Sequence, residues 1–334
     1  MANPATAPRT GYVPPFTVSA AAVSLIAEIA ALARDYSLAL ESGGVRLRRE
    51  NKARTIHSSL AIEGNCLSES QVTDILDGRP VVGPERDILE VRNARAVYTM
   101  VRRLDPHSVH DLLKAHAAMM DGLVDTAGHF RTCGVGVFAG RNLVHIAPPA
   151  ERVPALIDDL FAWAASAPDH PLVKSCVFHY EFEFIHPFAD GNGRMGRLWQ
   201  SLLLGKWNPV FLSLPVESLV HDSQQGYYRA INASSNASDS GPFIDFMLGE
   251  LYRALVAGRN ESRGKSREKS RGKKDSAANR ICVILKRSPR STQAELASEL
   301  GLSVKAIEKC MRQLREAGRL MRVGPKKGGS WKVL

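Results

Sequence analysis

The sequence predicts an all-α body carrying one small β-hairpin, followed by a compact helix-turn-helix unit with a hairpin wing. Apolar residues recur at helical spacing through most of residues 17–257, whereas β-forming residues flank a turn only between 134 and 145. Residues 279–334 add two capped helical segments and a second short hairpin.

In chain order, residues 1–16 are rich in Pro and Ala and read as an arm. Val23, Ile26, Ile29 and Ala30 open a helix that is expected to stop at Gly43-Gly44. A second is expected from Val45 to about Ile62, closed by Glu63-Gly64-Asn65, where Gly suits the left-handed residue beyond a helix end. Helices follow at 69–78, 85–103 and 106–123, the last with Leu112, Leu113, His116, Met119 and Met120 at helical spacing. In VGVFAGRNLVH, Ala139-Gly140-Arg141-Asn142 separates two β-forming runs and predicts a hairpin. Helices resume at Val153–Ser166, Pro171–Ile185, Met195–Lys206, Gln224–Asn232 and Phe243–Ala257. Residues 258–278 contain too little apolar surface to form a core and are expected to be a flexible linker. Beyond them Thr292-x-x-Glu295 is a capping box, Gly301 and Gly318 close two helices, and Leu320–Val323 with Trp331–Leu334 form the wing.

The 334-residue chain carries a net charge of +10, unevenly placed. Residues 258–334 hold 21 Lys and Arg against 7 Asp and Glu, so the preceding part is slightly acidic and the tail favours polyanions. The apolar stretch around Ala20 to Leu40 is broken by Glu28, Arg34 and Asp35, so neither a membrane span nor a signal peptide is expected. Cys66, Cys133, Cys176, Cys282 and Cys310 are dispersed, without zinc or disulfide spacing. A cytoplasmic location follows as an expectation.

The chemistry concentrates in His186-Pro-Phe-Ala-Asp-Gly-Asn-Gly-Arg-Met-Gly-Arg197. An apolar helix delivers His186 at its end, where Pro187 bars continuation. Gly191 and Gly193 let backbone N–H groups turn toward an anion at the start of a new helix, whose N-terminus favours phosphate. Arg194 and Arg197 can fork onto phosphate oxygens, and Asp190 suits a magnesium ion bridging phosphates. His186 is then the base for a hydroxyl attacking phosphorus.

This run resembles the signature of the Fic family, HxFx(D/E)GNGRxxR, at every defined position. The resemblance implies a Fic-type helical bundle that transfers AMP from ATP to a Ser, Thr or Tyr hydroxyl of a target protein, possessing a hairpin flap. His186 would be the base and Asp190 the Mg2+ ligand. Gly191, Asn192, Gly193, Arg194, Gly196 and Arg197 would hold the nucleotide, with Tyr227 and Tyr228 beside the adenine. Core packing is the competing role for either tyrosine. Ser235 stands where relatives often place an asparagine, with Asn236 next to it. Gly193 separates the sequence from the Doc branch, which carries lysine there.

Ser59-Leu-Ala-Ile-Glu63-Gly64 resembles the inhibitory helix of the family's N-terminally inhibited class, in which Glu63 would pair with Arg197. An ordinary glutamate closing a helix is the alternative. The hairpin, with Val144 and His145, would hold an extended target segment by strand addition. The implied division is an N-terminal helical region at 1–104 with the inhibitory helix at 45–64, a Fic core at 105–257, a basic linker at 258–278 and a winged helix-turn-helix at 279–334.

In that last unit Lys305, Lys309 and Arg312 share a face opposite Ile307, Met311 and Leu314, a pattern suited to a DNA groove. Arg315, Lys326 and Lys327 could add phosphate contacts. Expected partners are thus a target protein, with DNA through 279–334 and no membrane; a homodimer is left open. Two other functions compete: a nucleotide-sensing DNA-binding transcriptional regulator, and removal of AMP by the same site. A metal-hydrolase reading from the helical spacing of His179, Glu183 and His186 is disfavoured, because His186 cannot serve both roles and HExxH is absent.

Overall fold

The computed structural model describes residues 11–139, 142–325 and 329–334. The chain divides into two compact units, residues 1–260 and 261–334. The helices are α1 Ala20–Ile62, α2 Glu69–Leu76, α3 Glu85–Met100, α4 Val109–Met119, α5 Val153–Ser166 and α6 Pro171–Ile185. They continue with α7 Asn192–Trp207, α8 Val216–Asp222, α9 Gln224–Ala237, α10 Gly241–Arg287, α11 Gln293–Leu300 and α12 Val304–Glu316. Two antiparallel pairs complete the fold: β1 Gly136–Ala139 with β2 Asn142–Ile146, and β3 Leu320–Val323 with β4 Ser330–Val333.

The expected break at Gly43-Gly44 does not occur, and α1 is a single helix of 43 residues. A helical glycine costs only about 1 kcal/mol relative to alanine, which packing can override. Here Ile29, Ala33 and Tyr36 are buried before the glycines and Ala53, Ile56 and Leu60 after them, so both halves are anchored to one core. The expected flexible linker is likewise helical backbone within α10. Lack of core-forming residues argues against burial but not against helix, and Lys, Arg and Glu are good helix formers. Short α8 and the 3-10 turn Pro209–Ser213 had no periodic signal long enough to be read.

Helices α6 and α7 form the centre of the first unit. Ser175, Cys176, Val177, Phe178 and His179 are buried around the full circumference of α6, as expected of a helix enclosed by others. Trp199 of α7 is buried and donates from Nε1 to the Pro106 carbonyl at 2.9 Å, tying α7 to the segment before α4. The second unit has its own core of Ile281, Leu285, Leu296, Ile307, Met311 and Leu320. Its α11 opens with the Thr292–Glu295 capping box and ends at Gly301 in the left-handed conformation. Leu320 pairs with Val333 and Val323 with Ser330 in the wing.

Candidate active site at the junction of two central helices

The α6 cap is His186 itself, in the left-handed region at φ 51°. A non-glycine residue holds that conformation only where its surroundings enforce it. Its Nδ1 lies 3.3 Å from the Glu183 carbonyl. A carbonyl can only accept, so in this contact Nδ1 carries the proton.

The following loop is locked from inside. Asn192 uses both ends of its amide on Phe188: Oδ1 accepts from the Phe188 N–H and Nδ2 donates to the Phe188 carbonyl, each at 2.9 Å. Phe188 stacks flat on His116 at 3.6 Å between ring centres. His116 accepts at Nδ1 from Gly128 N–H and therefore donates from Nε2 to the Asp190 carbonyl, at 2.9 and 3.0 Å. Burial lowers its pKa to about 4, which keeps the ring neutral in this role. Gly191 needs φ 86°, and a Cβ there would lie 2.8 Å from Met120 Sδ.

Glu63, at the end of α1, projects over the first turn of α7. Its Oε1 accepts from Arg197 Nη2 at 2.7 Å, while Arg197 also donates from Nε to Ser59 Oγ at 3.2 Å and from Nη2 to the Ser59 carbonyl at 2.9 Å. Burial opposes charge on Arg197, but the acids around it, Glu63 foremost, hold its pKa above the ordinary value. A Cβ on Gly193 would stand 2.5 Å from Glu63 Oε1 and 3.0 Å from Arg197 Nη1. The glutamate carboxylate therefore lies where a helix N-terminus and an arginine would receive an anion. His186, Gly193, Arg197, Glu63, Tyr227 and Tyr228 all line one cavity.

The other residues expected to contact the nucleotide have the following surroundings. Arg194 is buried and pairs with Glu90 Oε1 at 3.3 Å and Asp190 Oδ1 at 3.2 Å, bracing the loop from behind rather than lining the cavity. Gly196 allows α6 and α7 to approach: a Cβ would meet Glu183 Oε1 at 2.7 Å and the His179 ring at 3.1 Å. Tyr227 combines both readings, since it is buried and its hydroxyl donates to His179 Nε2 at 3.1 Å while one side lines the cavity. Tyr228 is half-buried. Ser235 lines the same cavity and bonds the Tyr180 hydroxyl at 3.1 Å. Asp190 remains partly exposed, with Arg86 Nη2 3.6 Å from Oδ2.

His179 is a core residue, which disposes of the helical metal site. Its Nδ1 donates to Gln200 Oε1 at 2.7 Å, and burial lowers its pKa to about 3. Among the described residues no group of three His, Cys, Asp or Glu side chains could hold a metal ion. No described helix is long and apolar enough to cross a membrane.

The hairpin pairs Val137 with His145 and Phe138 with Leu143, which leaves Val144 as an extra residue in β2. The side chains of Val144 and His145 lie outside the described set. Lys305, Lys309 and Arg312 are exposed on α12, with Glu308 between them, while Ile307, Met311 and Leu314 are buried. Lys326 and Lys327 lie outside the described residues.

Sequence reasoning missed Arg131 and His116 as parts of this site and weighed Glu183 only in the disfavoured metal constellation. Arg131 touches His186, His116 holds the Asp190 loop, and burial pushes the Glu183 carboxyl in the cavity wall up to about 7 despite nearby Arg197. A buried histidine on an apolar helix face was the available signal for His116; Arg131 had none.

The chain is similar to several known proteins. The Fic/DOC family model matches residues 106–204, and a model described as winged helix-turn-helix DNA-binding matches residues 280–320. A solved Fic family protein from Desulfovibrio desulfuricans G20 is 42% identical with a TM-score of 0.72, over 97% of this chain and 98% of that one. Fic-1 from Caenorhabditis elegans, residues 134–508, gives a TM-score of 0.61 at 22% identity, over 73% of each chain, a likeness of fold. Among curated relatives, protein adenylyltransferase fic-1 of C. elegans is 29% identical over 60% of this chain and 40% of its own length. Protein adenylyltransferase Fic of Nematostella vectensis is 26% identical over 67% of this chain and 53% of its own. The chain thus spans about half the length of these curated relatives or less.

Proposed function

The chain belongs to the Fic/DOC family, and from that premise we propose that it is a nucleotidyltransferase moving AMP from ATP to a Ser, Thr or Tyr hydroxyl of a target protein. The supporting observation is the position of the Glu63 carboxylate over Gly193 and against Arg197, beside His186. An anion is already accommodated there by the groups that would receive phosphate.

In the proposed reaction the acceptor oxygen attacks the α-phosphorus, the bond from that phosphorus to the bridging oxygen of the β-phosphate breaks, and pyrophosphate leaves. The hydroxyl proton passes to His186 Nε2, since Nδ1 is turned to the Glu183 carbonyl. Arg197 would bind the outer phosphates once Glu63 withdraws, and the α7 N-terminus would hold the negative charge without reorganisation. Gly193 fits close phosphate approach, since any side chain would start within 2.5 Å of the present carboxylate.

Asp190 fits a magnesium ion as the single protein carboxylate, because its carboxylate is partly exposed. Such an ion would neutralise the phosphates. By this reading Glu63 is the inhibitory residue, Ser59 steadies Arg197 against it, and the hairpin offers its backbone to the target. The exposed basic face of α12 is proposed to contact DNA, supported by the winged helix-turn-helix match.

The test uses purified full chain with α-labelled ATP and Mg2+. Glu63→Gly should label itself or a lysate protein, and Glu63→Gly with His186→Ala should not. An inert Glu63→Gly protein would refute AMP transfer.

A further inference from the structure

We propose that Arg131 is a positioning residue that fixes the hairpin to His186, so that an acceptor docked on the hairpin is held in register with the imidazole. The inference rests on the AMP-transfer reading above. Arg131 is 3% exposed, and its guanidinium is spent on backbone carbonyls. Nε donates to His186 O at 2.7 Å, Nη1 to Cys133 O at 2.8 Å, and Nη2 to Pro148 O at 2.5 Å and Ile185 O at 3.3 Å. Its backbone N–H donates to Pro187 O at 2.9 Å.

Those acceptors fall into two groups. Cys133 and Pro148 stand just outside β1 and β2, so one guanidinium grips both legs of the hairpin, which Ala147 N–H and Val135 O close at 3.2 Å. Ile185 and His186 are the last turn of α6, whose carbonyls have no helical donor. A cation there satisfies them and suits the negative end of the helix. It also restrains the left-handed His186 backbone, and with it the direction of the ring.

Among the described residues Arg131 makes no ion pair. A buried cation without a carboxylate is costly unless hydrogen bonds replace its hydration, and burial lowers the pKa of this one. The planar fork is what lets one group reach four carbonyls in two segments. Lysine, a single compact ammonium, cannot span them.

The test compares Arg131→Lys and Arg131→Ala with the full-length Glu63→Gly parent. Self-labelling from α-labelled Mg-ATP, binding of α,β-methylene ATP, melting temperature, amide exchange in β1 and β2, and the ring signals of 15N-labelled His186 would be read. Arg131→Lys should lower kcat by roughly 10²-fold, the scale of a 1 Å misplacement, with KM for ATP and analogue affinity within about twofold. Exchange in both strands should quicken by about tenfold and the His186 signals should move. A kcat within about twofold of the parent, or parallel loss of kcat, nucleotide affinity and melting temperature, would overturn the coupling. If Arg131→Ala fails to fold, Arg131→Lys alone decides. If the parent labels nothing, the AMP reading fails by itself. Unchanged exchange and ring signals in Arg131→Lys would then separately reject the coupling.

Discussion

Glu63 Oε1 and Arg197 Nη2 meet at 2.7 Å, joining residues 134 positions apart, one capping the end of α1 and the other in the second turn of α7. Ser59, one turn before Glu63, holds the same guanidinium through both its hydroxyl and its carbonyl. The pair therefore depends on the angle at which α1 meets α7, and loosening it can be graded.

Ser59→Ala should release Arg197 only partly, because the Ser59 carbonyl and Glu63 remain. One hydrogen bond of about 1 kcal/mol corresponds to roughly fivefold faster self-labelling, well short of the effect of Glu63→Gly. Equal rates for the two variants would contradict this division of labour.

Two glycines in α7 should respond in opposite ways. Gly196→Ala drives a methyl into Glu183 and His179 in the core and should cost about 1–3 kcal/mol in urea unfolding. Gly193→Ala meets the flexible end of Glu63 instead, so it should leave stability nearly unchanged. In the Glu63→Gly background it should still weaken ATP binding, which calorimetry would detect. Equal destabilisation by both would show that Gly193 is needed for packing.

Asn192→Ala removes both bonds to Phe188 and leaves a buried N–H and carbonyl on that residue. Stability should fall by about 2 kcal/mol, and labelling should fall further than the unfolded fraction explains. Loss of activity in proportion to unfolding alone would mean that the loop geometry does not matter.

Burial raises the Glu217 carboxyl, inside the core, to about 7. With a folded pKa above the unfolded value, the native state binds more protons between roughly pH 4.5 and 7, so stability should fall as pH rises through that window. Glu217→Gln should remove that dependence, gaining roughly 1–3 kcal/mol relative to the parent at pH 8 compared with pH 5. Denaturant melts at the two pH values provide the comparison, and parallel pH curves would refute it.

Lys305→Ala, Lys309→Ala and Arg312→Ala should each weaken binding to duplex DNA and reduce the slope of log affinity against log salt by about 1 where a phosphate is contacted. Fluorescence anisotropy across a salt series would show this. Retention of the full slope in the triple variant would place any DNA contact elsewhere.

The candidate catalytic segment was legible because its chemistry is local. His186, Gly191, Gly193 and Arg197 lie within twelve residues spanning one helix end, one turn and one helix start, so their types and spacing suffice to describe an anion site beside a base. Helix periods were legible for the same reason, and so were the capping box at Thr292 and the paired strands β1 and β2, while Gly140 and Arg141 of the expected turn lie outside the described residues. The glycines of α1 and the charged stretch of α10 misled, because local rules weigh propensity and burial potential but not the packing that carries α1 through Gly43-Gly44.

Tertiary structure decided how that segment is used. It turned Arg194 toward Glu90, Gly196 toward α6 and Asn192 back onto Phe188, separating loop bracing from the groups that face the cavity. It also brought in His116 and Arg131, whose partners lie 74 and 55 residues away. A sequence records which donors and acceptors exist. Which of them meet depends on helix ends brought together by burial of their apolar faces, and that packing places Glu63 over Gly193.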